Sequence, residues 1–304
     1  HISGYILDEK LEIARRHLIG KQLREHGLRK GQVVLSKKVL REMIDGWSRE
    51  AGVRGLENNL KKIFRKSAKR IVEGGVDSVK VQVDDLRGLL GKRLFTEDQA
   101  FGEPRVGVVM GLAYTALGGA TLYVEASPVP ASSPGFKQTG QLGGVMVESS
   151  ELAYSYVRSM LRDDPKAKEF FSNHLIHLHV PAGATPKDGP SAGITMACAL
   201  YSLVTGEPPA ADLAMTGELT LSGLVMPIGG VKEKVIAARR AGVKTLILPE
   251  ENRADYEDLG EQIVKGIAPH FVRSFDEARK ICFPGGPRVK GRARRSPGAT
   301  APRG

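Results

Sequence analysis

The stretch Pro186-Lys187-Asp188-Gly189-Pro190-Ser191-Ala192-Gly193, running on into Ile194-Thr195-Met196-Ala197-Cys198-Ala199-Leu200, decides how this chain is read. A β-prone run at residues 175–180 precedes it and an apolar helical run follows, so the pattern is strand, tight turn, helix. Gly189 to Gly193 spell G-x-S-x-G, the spacing of a turn that lifts a serine hydroxyl to the start of a helix. There the unpaired backbone N–H groups and the helix dipole favour a developing oxyanion. The same small residues also suit a plain turn with Ser191 as N-cap. The serine therefore needs a base before it counts as a nucleophile.

Outward from this stretch, β-rich runs at 106–112 and 121–124 alternate with helical stretches at 146–161, 191–204, 231–241 and 274–281. That alternation predicts an α/β (α+β) domain over 105–285. Upstream the pattern differs. Residues 8–26, 36–47 and 56–72 repeat apolar positions at helical spacing, among them Leu11, Ala14 and Leu18, then Leu40, Met43 and Trp47, then Leu60, Ile63 and Ile71. Asp8 is the expected cap of the first helix and Asp84 of a short last one ending near Gly91, while residues 79–83 alternate as a strand. Residues 1–92 therefore read as a small all-α module and 93–104 as a linker. Residues 286–304, rich in Gly, Pro and Arg without apolar periodicity, read as a disordered basic tail.

Composition narrows the function classes. With 41% hydrophobic and 26% charged residues, the chain is too apolar to be disordered. Cys198 and Cys282 are the only cysteines, which excludes a disulfide framework, and neither has the CxxC spacing of a structural zinc site. No apolar run approaches the ~20 residues that span a bilayer, and residues 1–10 lack the charged-then-apolar pattern of a signal sequence. Neither a metal site nor a membrane partner is expected. The net charge of +11 is uneven: 22 Lys+Arg stand against 14 Asp+Glu in residues 1–100, 17 against 20 in 101–285, and 6 against none in 286–304. A DNA or acidic-partner contact would belong to the two ends, where the alternative is a solvated helix surface and a loose tail.

Two kinds of base could serve Ser191. The order Ser191, Asp255 or Asp258, His270 fits a triad, but His270 sits in an ordinary strand-like run. His177 and His179 share one face of the strand before the serine, either lining a cleft or forming a polar strand face. Lysine is the better candidate. On a helical wheel of Val231-Lys232-Glu233-Lys234-Val235-Ile236-Ala237-Ala238-Arg239-Arg240-Ala241, Lys232, Glu233, Arg239 and Arg240 fall on the polar side. Lys234 falls in the apolar arc with Val231, Val235 and Ala238. Burial there lowers an amine pKa from ~10.4 towards neutrality, and a neutral amine can take a serine proton. A lysine snorkelling from the edge of the arc is the plainer alternative.

These residues resemble a known family, the Lon ATP-dependent proteases of the AAA+ class. Residues 186–193 are similar throughout to the Lon nucleophile motif, Gly229-Gly230-Val231-Lys232-Glu233-Lys234 resembles the Lon lysine motif, and the spacing between Ser191 and Lys234 is similar too. Leu213-Ala214-Met215-Thr216-Gly217-Glu218 resembles the strand whose threonine supports the lysine. Ile176-His177-Leu178-His179-Val180-Pro181 and Leu122-Tyr123-Val124-Glu125 resemble segments bordering the cleft. The resemblance implies Ser191 as nucleophile and Lys234 as base, with Thr216, Asp188, Glu125, His177, His179 and Pro190 in support and no cofactor in the protease site.

The resemblance extends to the helical start. Residues 4–90 look like the lid subdomain of the Lon ATPase module. Arg54, in Arg49-Glu50-Ala51-Gly52-Val53-Arg54-Gly55-Leu56-Glu57, matches the sensor-2 arginine that faces nucleotide phosphate. The phosphate loop G-x-x-x-x-G-K-[ST] and an acidic magnesium-binding strand do not occur, so the chain reads as a C-terminal part, with ATP and Mg belonging to a motor outside it. A homohexamer, unfolded or tagged protein substrates, and a bacterial cytoplasmic setting are implied, with the mitochondrial matrix as the alternative setting. Two rival readings stand beside this one. One is an α/β-hydrolase esterase using Ser191 and His270; the other is a non-enzymatic basic module that binds nucleic acid.

Overall fold

The computed structural model describes residues 5–50, 52–95, 103–115, 118–181 and 187–285. The segment expected to be a disordered tail, residues 96–102 of the expected linker, and Pro186 of the serine motif lie outside the described residues.

The chain opens with helices whose apolar stripes face one another. α1 (Leu7–Ile13) passes through a π-helical stretch, Ala14–Leu18, into α2 (Ile19–Glu25), followed by α3 (Lys37–Trp47), α4 (Arg54–Gly74) and α5 (Asp85–Leu90). They share a core that includes Leu11, Leu40, Leu60, Phe64 and Leu89. Ser36 caps α3, accepting from the Val39 N–H at 3.2 Å. Asp8 is not the cap of α1: the helix begins one residue earlier, and Glu9 turns back to accept from the Ile6 N–H at 2.8 Å. Asp84 makes no capping bond either; Asp85 Oδ2 accepts from the Gln82 N–H instead. Two short strands, β1 (Val33–Leu35) and β2 (Val79–Val81), pair in parallel, so the module is helical with a small sheet attached.

The larger part is built on a mixed sheet. Its strands are β3 (Val108–Thr115), β4 (Gly118–Pro130), β5 (Gly135–Thr139), β6 (His174–His179) and β7 (Leu213–Met215). After a separate hairpin, β8 (Glu218–Leu219) and β9 (Val225–Met226), come β10 (Thr245–Pro249) and β11 (Ala268–Val272). The order is β11-β10-β7-β3-β4-β6-β5. β4 runs antiparallel to β3 and β6, and the other neighbours are parallel.

Helices cover both faces: α6 (Gly144–Met160), α7 (Pro165–Asn173), α8 (Gly193–Thr205), α9 (Val231–Arg240), α10 (Arg253–Glu257), α11 (Glu261–Val264) and α12 (Phe275–Cys282). Successive strand residues divide between the two faces. Val109, Val124, Ile176, Met215 and Ile247 share a core with α6, α8 and α12. Met110, Leu112, Ala214, Leu246 and Leu248 share the opposite core with α9. α8 is buried from Gly193 through Ser202, as a helix apolar on every side must be. No described helix is long and apolar enough to cross a membrane.

Candidate active site

Ser191 lies in a 3₁₀ turn, Pro190–Ala192, that leads into α8, so the α-helix proper starts two residues beyond the serine rather than at it. The turn is stapled to the end of β7. Ser191 O accepts from the Gly217 N–H at 2.9 Å and from Thr216 Oγ1 at 3.0 Å, and the Ile194 N–H donates to Gly217 O at 3.1 Å. The Gly193 N–H is engaged with Pro190 O. The N–H groups of Gly193 and Ile194 are therefore already spent, which narrows any oxyanion donor in this turn to Ser191 and Ala192.

Lys234 comes from the other side of the sheet. It sits in the first turn of α9, whose buried residues are Val231, Lys234, Val235, Ala237 and Ala238. The side chain is only 2% exposed, and its Nζ donates to Thr216 Oγ1 at 3.0 Å. Burial pushes the amine pKa down from its ordinary value to about 8, because desolvation penalises the charged form. α8 and α9 pack on opposite faces of the sheet. The 3₁₀ turn before α8, carrying Ser191, and the first turn of α9, carrying Lys234, both reach Thr216 where β7 ends, and β7 runs parallel to both of its neighbours. The carboxyl end of parallel strands is the usual place for a site in such sheets.

The residues before Ser191 are tied to the start of α6. Asp188 Oδ1 accepts from the Met146 N–H at 3.0 Å and from the Gly189 N–H at 2.9 Å, so it caps α6 across the turn. Lys187 Nζ donates to Gly140 O at 2.8 Å and to Val180 O at 3.3 Å. Pro190 opens the 3₁₀ turn, and its carbonyl accepts from Ser149 Oγ at 3.4 Å. Sequence reading did not reveal Ser149 or the Gly217 N–H as partners of this turn, since nothing local in either residue marks a contact across the fold.

The histidines form their own cluster. His177 Nε2 and His179 Nδ1 both meet Thr139 Oγ1, at 2.9 and 2.7 Å, and Glu125 lies opposite His179 in the sheet register. Ile176 and Leu178, between and beside them, belong to the α8 core, so His177 and His179, with Glu125 opposite in the register, point to the face away from α8. Desolvation, with Lys137 and His179 nearby, lowers the His177 pKa. No hydrogen bond joins this cluster to Ser191 or Lys234 among the described residues, and no group there gathers three or more His, Cys, Asp or Glu around a point.

The triad alternative is not assembled. His270 is exposed on the edge strand β11, with β10 between it and β7, and Asp255 Oδ2 accepts from Asn252 Nδ2 at 2.7 Å. Arg54 is exposed at the first residue of α4. A cavity of about 320 Å³ opens between the helical module and α9, lined among others by Lys10, Asp45, Gly119, Glu233 and Arg240. In it Lys10 donates to the carbonyls of Ser48 and Glu50, and burial lowers its pKa to about 8 against the pull of Glu50 and Asp45.

Two family models match this chain. Residues 80–284 match the Lon protease (S16) C-terminal proteolytic domain, and residues 24–80 match the Lon protease AAA+ ATPase lid domain. Among curated proteins, Lon protease 1 of Syntrophotalea carbinolica is 55% identical over 282 residues, and Lon protease of Protochlamydia amoebophila is 48% identical over 306. The mitochondrial Lon protease homolog of Mus musculus is 47% identical over 292 residues. Each comparison covers 93% of this chain but only 34%, 37% and 31% of the respective relative. The chain spans about a third of the length of the curated relatives it matches.

Proposed function

The chain belongs to the Lon protease (S16) family, and on that premise we propose that it carries the peptidase site of an ATP-dependent protease with Ser191 as nucleophile and Lys234 as base. The observation that supports this most is the path from Lys234 Nζ through Thr216 Oγ1 to Ser191 O, two hydrogen bonds of 3.0 Å each. Lys234, neutral in about a tenth of molecules at pH 7 for an amine of pKa about 8, takes the proton from the Ser191 hydroxyl as it attacks the peptide carbonyl. The carbonyl carbon becomes tetrahedral, with its oxyanion facing the N–H groups of Ser191 and Ala192. Lys234 then returns the proton to the leaving amine, and water releases the acyl group by the same route.

Thr216 holds the amine, Pro190 and Asp188 fix the turn, and Glu125, His177 and His179 border the cleft. The proposed division is a lid over 1–92, a linker over 93–104 and a protease domain over 105–285. ATP and Mg serve a motor rather than the peptidase site. Arg54 is exposed where the N-terminus of α4 adds partial positive charge, which suits a phosphate, and nucleotide hydrolysis would supply the work of unfolding. The whole assembly would be a homohexamer taking unfolded or tagged proteins, in the bacterial cytoplasm or, alternatively, the mitochondrial matrix. DNA contact, if made, would use the basic ends.

Four variants in the full-length protein test the peptidase reading. Ser191→Ala and Lys234→Ala should each abolish cleavage of a small peptide, because a dyad fails as a unit. Lys232→Ala and His270→Ala should each keep most of it. Cleavage surviving in Lys234→Ala while lost in His270→Ala would establish the triad instead.

A further inference from the structure

The β3–β4 hairpin closes over the first turn of α9. Tyr114 of β3 and Gly119 of β4 are register partners, and both press on this helix. The Tyr114 ring packs on Gly230, so closely that a Cβ there would lie 2.9 Å from the ring. Gly230 precedes α9 with a φ of 69°. Gly119 meets the helix one turn on. A Cβ at Gly119 would fall 1.9 Å from Glu233 O, 2.4 Å from Glu233 C and 3.1 Å from Lys234 N. These three atoms belong to the peptide unit that carries Lys234. The contact is backbone on backbone, so no flexible side chain can swing aside to admit a methyl group. At the far end of α9, Arg240 Nη2 donates to Gly119 O at 3.0 Å and draws the helix onto the same glycine. The φ of Gly119 lies outside the left-handed region, so alanine suits its backbone and only the contact with α9 excludes it.

We propose that Gly119 is a positioning residue for Lys234: its missing side chain lets β4 seat the Glu233–Lys234 peptide against the sheet, at the depth from which the amine reaches Thr216. The inference rests on the reading of Lys234 as the base. A methyl group at position 119 must lift that peptide by an ångström or more to restore van der Waals distance. The lysine moves with it, out of a pocket where it is 2% exposed and 3.0 Å from its partner. A shift of that size costs a reaction on the order of 10²-fold. It also readmits water to the amine, whose pKa then climbs back towards that of a free lysine.

The test compares Gly119→Ala, Arg240→Ala and Lys234→Ala in the full-length protein, using cleavage of a small fluorogenic peptide across pH and the thermal midpoint. Gly119→Ala should lower kcat about 100-fold with KM changed less than about threefold, since Gly119 would act on the base and not on the substrate. The midpoint of the pH–rate rise should move upward. Arg240→Ala loosens the same contact without adding volume, and should show the same upward shift with a smaller loss. It carries the test alone if Gly119→Ala does not fold. Unchanged kcat in a folded Gly119→Ala, or a reduced rate whose pH midpoint has not moved, would overturn the positioning role while Lys234→Ala remains inactive. Full activity in Lys234→Ala would instead overturn the reading of the lysine, and this inference with it.

Discussion

Lys234 Nζ stands 3.0 Å from Thr216 Oγ1, and both residues are almost sealed from solvent. The threonine has one proton, and it is committed to Ser191 O. Towards the lysine it therefore presents a lone pair, and Lys234 is the donor. A neutral amine donating one N–H in this way is oriented while its own lone pair stays available for a proton. Thr216→Val should remove that orientation and lower kcat about 10- to 100-fold. Loss of the acceptor also disfavours the ammonium form, so the pH–rate rise should move below about 8. Thr216→Ser should keep both the rate and the midpoint. A valine variant with normal kcat would show that the threonine does not hold the base.

A buried amine at the site carries a stability cost of defined sign. The Lys234 pKa falls from an ordinary 10.5 in the unfolded chain to about 8 in the fold. Between those values the unfolded state binds more protons, so stability rises with pH across about 8 to 10.5, and below 8 the burial penalty is felt in full. Lys234→Met keeps the volume and removes the charge. It should raise the thermal midpoint at pH 7, by a free energy on the order of 1–3 kcal/mol, with the gain shrinking as pH rises towards 10. Calorimetry of both proteins at several pH values reads this directly. A methionine variant less stable at pH 7 would mean that the charged lysine is welcome in its pocket.

Arg54, exposed at the start of α4, lies in the helical module and not beside Thr216. Its loss should therefore separate two activities. In the full-length protein, Arg54→Ala should slow ATP turnover and protein degradation several-fold, with small-peptide cleavage reduced less. Assays of ATP, a folded protein and a short peptide side by side give the comparison. Normal ATP turnover would show that the arginine does not sense nucleotide.

Periodicity reveals a residue's own face, and that made Lys234 readable: on α9 its wheel position coincides with the buried side. What periodicity hides are contacts made across the chain. β4 extends through Ser127-Pro128-Val129-Pro130 to pair with β6, where the prolines argue against a strand. The reason is geometric. The Ala126 N–H donates towards the β3 side, to Gly107 O, and by alternation the nitrogens of Pro128 and Pro130 face that side too. β3 pairing has already ended at Val108 opposite Glu125, so no ladder bond is lost. β10 was hidden because it is buried on both faces and so lacks alternation. Asp164 and Pro165 do carry the ordinary signature of a helix start, and α7 could have been found from them. The turn at Ser191 was legible as chemistry, but its staples at Gly217, Ser149 and Met146 come from segments far along the chain.

Asp188 is the staple with the clearest test. Its Oδ1 takes N–H groups from both Met146 and Gly189, so one carboxylate caps α6 and ties down the turn that presents Ser191. An acceptor oxygen performs both tasks, and the negative charge adds only the smaller attraction to the helix N-terminus. Asp188→Asn should therefore fold and cleave close to the original, losing a few tenths of a kcal/mol up to about 1. Asp188→Ala leaves the Met146 N–H without its acceptor, which costs about 1–2 kcal/mol. It also frees the serine turn, so kcat should fall further than KM rises. Thermal melts and peptide kinetics on the pair decide the matter. If Asp188→Asn is as inactive as Asp188→Ala while both melt normally, the carboxylate acts on the site through its charge, and the capping role assigned to it here is wrong.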